Sequence, residues 1–173
     1  MSQEQAPILA DGLRLSINHA RGLLDGVTGD HFGRFAAPSG SIVVSNHPAF
    51  IYGHLALYSS RIVAMAGGTP VKPPDGFSEL FANGVECEDD TDGTKYPAME
   101  IVVDTFFSGY ESALDAVHSA DDEVLNRPNP AGGTLTERFP TCGSMCSFMG
   151  CGHIMLHMGQ MSAWRRMQGL GPA

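Results

Sequence analysis

The segment His153-Ile-Met-Leu-His157-Met-Gly-Gln160, close to the carboxyl end of the chain, contains two histidines four residues apart. On an α-helix this spacing puts both imidazoles on one face, one turn apart, where they can share a metal ion. A buried polar group without a partner costs roughly 1–3 kcal/mol, so two histidines that point into the core each need one. A metal ion bound to both rings would be that partner. At about 100° per residue, the arc of the two histidines also contains Met149, Leu156, Gln160, Trp164 and Met167, so we expect it to face the core.

Helical periodicity extends over four segments of the chain, and connections rich in glycine and proline separate them. Only short runs at 42–44 and 135–139 suit a β-strand, so a sheet is disfavoured. The chain is therefore predicted to form one all-α domain over residues 1–173, a four-helix bundle with long crossover loops. The four helices are predicted over about residues 8–27, 45–67, 98–120 and 144–168.

The composition indicates a soluble globular domain that binds neither nucleic acid nor a membrane. The net charge is -9 with only ten lysines and arginines, so no basic stripe is available to neutralise phosphates. No run approaches the roughly 20 apolar residues of a membrane-spanning helix, and residues 1–5 lack the features of a secretion signal. We therefore expect a cytoplasmic protein with reduced thiols at Cys87, Cys142, Cys146 and Cys151.

A third histidine ligand is expected from the second predicted helix, because catalytic zinc-type sites usually have three protein ligands. That helix offers His47 near its start and His54 in the middle of its apolar stripe. About 10 Å separate the two along the helix axis, so one ion can use only one of them. The mid-helix position favours His54, since capping and solvent explain a histidine at a helix start, and His47 stays the competitor.

Three neutral imidazoles suit zinc, nickel, copper or iron better than magnesium or calcium. They leave at least one coordination position for water or substrate. Gln160, one turn after His157, is predicted to orient a ligand or to touch a metal-bound water. The alternative is that Gln160 only closes a polar pocket.

Structural roles are expected for several other polar residues. The thiols of Cys142, Cys146 and Cys151 resemble part of a zinc site, but their helical spacing prevents convergence with the two histidines, so buried thiols are predicted. Arg165-Arg166 is predicted to be a solvated pair near a helix end, with Trp164 in the core. The acidic run within 86–92 is predicted to be a solvated face; the alternative is that the loop folds over the site and brings Glu86, Glu88, Asp89 and Asp90 near it.

Two motifs give the chain a resemblance to a known family. The segment from His153 to Gln160, followed by Trp164-Arg165-Arg166 and Gly169-Leu170, resembles the last-helix pattern of the DinB-like, or YfiT-like, superfamily of metalloproteins. The segment His47-Pro-Ala-Phe-Ile-Tyr-Gly-His54-Leu55 resembles its second-helix pattern, although a phenylalanine stands where relatives often have tryptophan. A third stretch, 79–97, is similar to the loop that enters the third helix.

The resemblance implies a four-helix bundle with a long crossover, a homodimer, and a divalent transition metal such as zinc, nickel or iron held by His54, His153 and His157. Some members are thiol-dependent transferases, so it also implies a small-molecule substrate and a low-molecular-weight thiol presented to an electrophile. A metal-dependent transferase or hydrolase is one interpretation. The alternative is a noncatalytic bundle, stabilised by the metal or used as an interaction module, and a closed coordination position would favour it.

Overall fold

The computed structural model describes residues 4–172, and all regular secondary structure in this range is helical. The β pairings found there are two isolated bridges, Ala36 with Val43 and Pro128 with Thr141. The prediction of an all-α protein is therefore confirmed for this range. Residues 1–3 and 173 lie outside the described range. The prediction of a single domain over 1–173 includes all four, and the prediction that residues 1–5 lack a secretion signal includes the first three. None of the described helices combines the length and apolar character needed to cross a lipid bilayer.

Short helices fill the connections between the longer ones. The four predicted helices correspond to α1, α3, α5 and the run from α8 to α9, whereas the β-compatible run at 135–139 falls mostly in α7. A 3₁₀ turn at Pro38–Gly40 and a π-helical segment at Phe148–His153 interrupt the series. In chain order the α-helices are α1 Gln5–Leu23, α2 Gly29–Phe32, α3 Pro48–Met65, α4 Phe77–Phe81, α5 Met99–Ser119, α6 Asp122–Leu125, α7 Gly133–Arg138, α8 Cys142–Ser147 and α9 Ile154–Met167.

Local capping signals set where α3 and α8 begin. The His47 side chain accepts a hydrogen bond from the backbone N–H of Phe50, and Pro48 occupies the first turn, where its missing N–H costs nothing. At the start of α8, Thr141 and Ser144 form a reciprocal capping box. These caps satisfy backbone N–H groups that have no partner inside their helix.

The long helices pack around a common core with α3 at its centre. Helix α3 lies along α5 and also contacts α8 and α9, whereas α1 packs against α5 and α9. Two buried tyrosines connect these helices: the Tyr52 hydroxyl donates to the carbonyl oxygen of Ala20 at 2.6 Å, and the Tyr110 hydroxyl to that of Leu55 at 3.1 Å. Trp164 is fully buried, as predicted. The same core therefore supports every helix that contributes to the histidine cluster.

The last predicted helix is not continuous, because the π-helical segment Phe148–His153 separates α8 from α9. A π turn accommodates an extra residue, and such turns inside helices are frequent at functional sites. Gly150 lies in this segment where α1 approaches closely, since a Cβ there would be 3.2 Å from the Leu13 side chain. The segment ends at His153, so the π turn sets the rotation of this histidine relative to α8.

Arg165 and Arg166 at the end of α9 are predicted to be solvated. The prediction is wrong for Arg165, which is only 3% exposed. Its guanidinium donates to the carbonyl oxygens of Leu23 at 2.8 Å, of Asp25, and of Leu170 at 3.4 Å. Carbonyl groups at a helix end have no partner within the helix, and here the buried cation satisfies them. Arg166 is exposed, as predicted.

The acidic segment 86–92 is anchored at its centre rather than solvated throughout. Asp89 accepts two hydrogen bonds from the Arg34 guanidinium, at 2.8 and 3.2 Å. Asp90 is only 7% exposed and accepts hydrogen bonds from the backbone N–H groups of residues 94–96. The prediction of a solvated face is therefore wrong for these two carboxylates, whereas the other carboxylates of the segment are exposed.

Candidate metal centre

Three histidines meet where α3 faces the junction between the π-helical segment and α9. His54 comes from the middle of α3, His153 ends the π-helical segment, and His157 lies in the first turn of α9. Their ligand nitrogens all lie within 4.8 Å of one another, and the Nε2 atoms of His153 and His157 are 3.2 Å apart. Nitrogens that share a tetrahedral zinc at about 2.1 Å are roughly 3.4 Å apart. The three residues are therefore close enough to hold one metal ion after small side-chain adjustments.

The backbone of α4 fixes the tautomer of His54. The Nδ1 atom of His54 lies 2.8 Å from the carbonyl oxygen of Phe81, the last residue of α4. A carbonyl oxygen only accepts hydrogen bonds, so Nδ1 carries the proton and Nε2 keeps its lone pair. The Phe50 ring also stacks nearly parallel to the His54 ring, with 6.1 Å between centroids and 10° between planes. His54 therefore presents Nε2 as the nitrogen that is free to bind a metal.

Gln160 orients His157 in a comparable way. The Oε1 atom of Gln160 lies 2.8 Å from Nδ1 of His157 and also accepts from the Asn46 side-chain amide at 3.2 Å. With Nδ1 donating, the free nitrogen of His157 is Nε2, as in metal sites where an outer hydrogen bond fixes the ligating ring. The contact predicted for Gln160 is present, whereas its effect on metal binding stays a prediction.

Among residues 4–172, the one polar partner of the His153 ring is another imidazole. The Nδ1 atom of His153 is buried without a hydrogen-bond partner, and its Nε2 atom faces the unprotonated Nε2 atom of His157. Two nitrogen lone pairs at this distance repel each other unless a proton or a cation lies between them. A proton shared by His153 and His157 would bridge these two rings and leave Nε2 of His54 without a partner. A metal ion can bind all three rings. The donor set therefore fits a metal.

The surroundings favour the neutral form of all three imidazoles. Burial lowers the pKa of His54, against the opposing effect of its hydrogen bond to Phe81. Burial lowers the pKa of His157, and here the hydrogen bond to Gln160 opposes it. Burial lowers the pKa of His153 to about 4, together with the repulsion that protonated His157 and His54 would exert. Because metal ligation requires an unprotonated nitrogen, the three rings are ready to bind a cation at neutral pH.

His47, the competing candidate, is held away from the cluster by its own hydrogen bonds. Its Nδ1 atom accepts from the backbone N–H of Phe50 at 3.3 Å, and its Nε2 atom donates to the carbonyl oxygen of Glu88 at 2.9 Å. Both ring nitrogens are therefore occupied. The structure brings His54, and not His47, to the histidine pair of the last helix. The capping role expected for His47 is confirmed, but the solvent exposure is wrong, because the residue is fully buried.

A cavity of about 720 Å³ opens beside His153, within the size range of small-molecule sites. Tyr58 and Phe148 form its wall next to the histidines. The Tyr58 ring centre lies 4.7 Å from that of His153 and 5.0 Å from that of His54, and the Phe148 ring stacks on His153 at 5.8 Å. Neither ring is predicted as part of the site. The spacing of four residues between His54 and Tyr58 is the signal that could have found the tyrosine.

The cysteines lie outside the cluster. Cys142 and Cys146 are buried, and Cys151 faces α1, where its Sγ would be 2.7 Å from a Cβ at Gly12. Burial raises the pKa of Cys146 to about 12, so this thiol is protonated at neutral pH. Over residues 4–172, the one group of potential ligands with metal-binding spacing is the histidine cluster. As predicted, the thiols do not converge with the histidines.

The chemistry of the cluster is that of three neutral nitrogen donors and no carboxylate. Such a set suits zinc, nickel, copper or iron and leaves coordination positions for other molecules. Comparison with protein-family models finds none that matches the chain, and comparison with curated proteins finds no similar sequence. The residues of the site themselves therefore carry the functional argument.

Proposed function

We propose that the protein binds one divalent transition-metal ion through the Nε2 atoms of His54, His153 and His157. The observation that carries this proposal is the convergence of the three nitrogens within 4.8 Å. Hydrogen bonds to Phe81 and Gln160 support it, because each leaves the inward nitrogen of its histidine free. Zinc, nickel and iron are among the metals that this donor set favours.

We further propose that the site serves a metal-dependent reaction of a low-molecular-weight thiol with a small electrophile. A bound metal ion would supply a Lewis acid that favours the ionised form of a thiol or of water. The chain's own contribution is to orient the histidines through Phe81 and Gln160 and to screen them with the Tyr58 and Phe148 rings. The cavity beside His153 supports an open site over an occluded one, and this favours an enzyme over the noncatalytic alternative.

The same proposal includes the DinB-like architecture, a four-helix bundle with long crossover loops that forms a homodimer. The observations that support the bundle are the four long helical segments, their contacts around α3, and the order of the histidine motifs along the chain. Light scattering of the purified protein measures the oligomeric state. A mass of two chains supports the dimer, and a mass of one chain contradicts it.

The metal site is tested by elemental analysis of the untagged protein after refilling with zinc, nickel or iron. We expect close to one metal ion per chain in the wild type and a near-complete loss when His54, His153 and His157 are all changed to alanine. The matched control carries alanine at three exposed histidines and should keep the metal, namely His19, His31 and His118. Metal-free wild type after refilling, or equal loss in both triple variants, would overturn the proposed site.

The reaction is tested by following the conjugation of cysteine with 1-chloro-2,4-dinitrobenzene by absorbance. Metal-loaded wild type should accelerate the conjugation above the rate in buffer, and the alanine triple variant of the ligands should not. Circular dichroism of that variant checks that helical content is retained. Turnover that survives removal of the metal with a chelator would contradict the metal-dependent reaction and leave metal binding as a separate question.

A further inference from the structure

Arg61 is a cation without a carboxylate partner in the wall of the cavity beside His153. Within residues 4–172, Arg14, Arg21, Arg34 and both lysines each contact a carboxylate oxygen, whereas Arg61, Arg127, Arg138, Arg165 and Arg166 do not. Arg61 is the one of these five that lines the same cavity as His153. Arg61 makes no such contact with residues 4–172, although acidic side chains outnumber basic ones by 19 to 10. A guanidinium left unpaired in an acidic protein, and facing a cavity, is available to bind an anion.

The Tyr58 ring contacts both this guanidinium and the histidines. Arg61 follows Tyr58 by three residues on α3, and its guanidinium carbon lies 5.0 Å from the centre of the tyrosine ring. The same ring also contacts His153, at 4.7 Å between ring centres. The cation–π contact therefore places a positive charge one aromatic ring away from the proposed metal ligands.

The rest of the cavity wall complements this charge. Ser78 and Asn83 contribute polar side chains near α4, and Met145 and Met149 contribute apolar surface from the side of α8. Arg61 also borders an adjoining cavity of about 370 Å³, which contains a second arginine, Arg127. A ligand in the larger cavity thus meets both His153 and the Arg61 guanidinium.

We propose that the cavity binds a small organic carboxylate, whose acidic group pairs with the Arg61 guanidinium while its other end reaches His54, His153 and His157. A planar carboxylate matches the fork of a guanidinium through two parallel hydrogen bonds. The cavity volume of about 720 Å³ accommodates a small acid with room for a reaction partner. The inference rests on the proposed metal site and specifies the class of molecule that this site takes.

The test uses cobalt-loaded protein and two probes of the same length, 3-mercaptopropionate and its uncharged amide, 3-mercaptopropionamide. Each probe is titrated while the visible absorption of the cobalt centre is followed. We expect the carboxylate probe to bind at least about tenfold more tightly than the amide, as a charge-assisted hydrogen bond provides. Arg61→Gln should reduce this ratio to near one, and Arg14→Gln, which removes the same charge from the exposed face of α1, should leave it unchanged.

The cobalt content of each protein separates failure of this inference from failure of the metal site. Stoichiometric cobalt with equal affinity for both probes in the wild type overturns the carboxylate inference and leaves the metal site standing. A preference that persists in Arg61→Gln also overturns it, because the anion is then bound elsewhere. Cobalt that does not bind to the wild type overturns both proposals.

Discussion

The Nδ1 atom of His54 lies 2.8 Å from the backbone carbonyl oxygen of Phe81, although 27 positions separate the two residues in the chain. The preceding residue, Gly53, faces the same phenylalanine, since a Cβ at this position would lie 2.6 Å from three carbons of its ring. Two consecutive residues of α3 thus determine how α4 sits on it. This contact leaves the inward nitrogen of His54 free, so the packing of α4 is directly coupled to the proposed ligand.

Gly53→Ala is therefore expected to lower the free energy of unfolding by about 1–3 kcal/mol, as overpacking in a core does. The Phe81 ring is fully buried and packed against other aromatic rings, so it has little room to move. Urea unfolding monitored by circular dichroism measures the change. Gly159→Ala is the matched control, because nothing lies within 4 Å of its Cβ and alanine is the better helix former. An equal effect of both substitutions would contradict the close packing at Gly53.

Gln160→Ala should weaken metal binding about 10- to 100-fold without lowering the metal content at saturation. The reason is that the substitution removes the acceptor of the His157 Nδ1 proton and leaves the three ligands in place. Competition with a chromophoric chelator measures the affinity. Gln168→Ala, at the end of the same helix, is the control that should retain wild-type affinity. An unchanged affinity for Gln160→Ala would assign this side chain to a polar pocket only.

Arg165→Ala is expected to destabilise the protein by about 2–4 kcal/mol, because it removes a buried donor from several carbonyl groups at once. Its neighbour Arg166 is exposed, so Arg166→Ala should change stability by no more than about 0.5 kcal/mol. Thermal and urea unfolding of the two variants provide the comparison. Similar stabilities of the two variants would show that the end of α1 does not depend on the Arg165 guanidinium.

The stability of the metal-free protein should fall as the pH drops below about 6.5, in part because of His47. Burial lowers the pKa of His47, although the hydrogen bond to Glu88 and the charges of Asp89 and Asp90 oppose this. Protonation also places a proton on Nδ1, the atom that accepts from Phe50. With a folded-state pKa below the unfolded one, full stability is present above the unfolded pKa and is lost as the pH falls toward the folded value.

His47→Asn isolates this contribution, since asparagine can still cap α3 through its side-chain oxygen. The variant should be less stable than the wild type at pH 8, because it loses the donor to Glu88 and leaves a small cavity. Its stability should nevertheless change less between pH 8 and pH 5. Urea unfolding at several pH values, with a chelator present, measures how the free energy of unfolding of each protein depends on pH. The same pH dependence in the wild type and in His47→Asn would contradict the role of His47. The three cluster histidines remain in both proteins and cancel in the comparison.

Short-range patterns in the amino-acid sequence were sufficient for the four long helical segments and for two of the three histidines of the proposed metal site. Apolar periodicity marks the four long helical segments, because a helix that buries one face must repeat apolar residues every three to four positions. The spacing of His153 and His157 places both rings on one face for the same reason. Helix ends were less accurate: α1 ends at Leu23, four residues before the predicted end, and the chain then turns at Gly26 with a φ of 72°.

Contacts between distant segments decided the rest. Position along the helix favours His54 and leaves His47 as the competitor. The structure separates the two by their partners: Glu88 occupies His47, whereas Phe81 orients His54 and leaves its inward nitrogen free. The sequence predicts that Arg165 is a solvated surface residue. In the structure it is buried against the end of α1, where it donates to the carbonyl oxygen of Leu23, 142 positions earlier in the chain. Periodicity specifies which face of a helix is buried, but the hydrogen-bond partner of a polar side chain on that face depends on which other helix end or loop packs there.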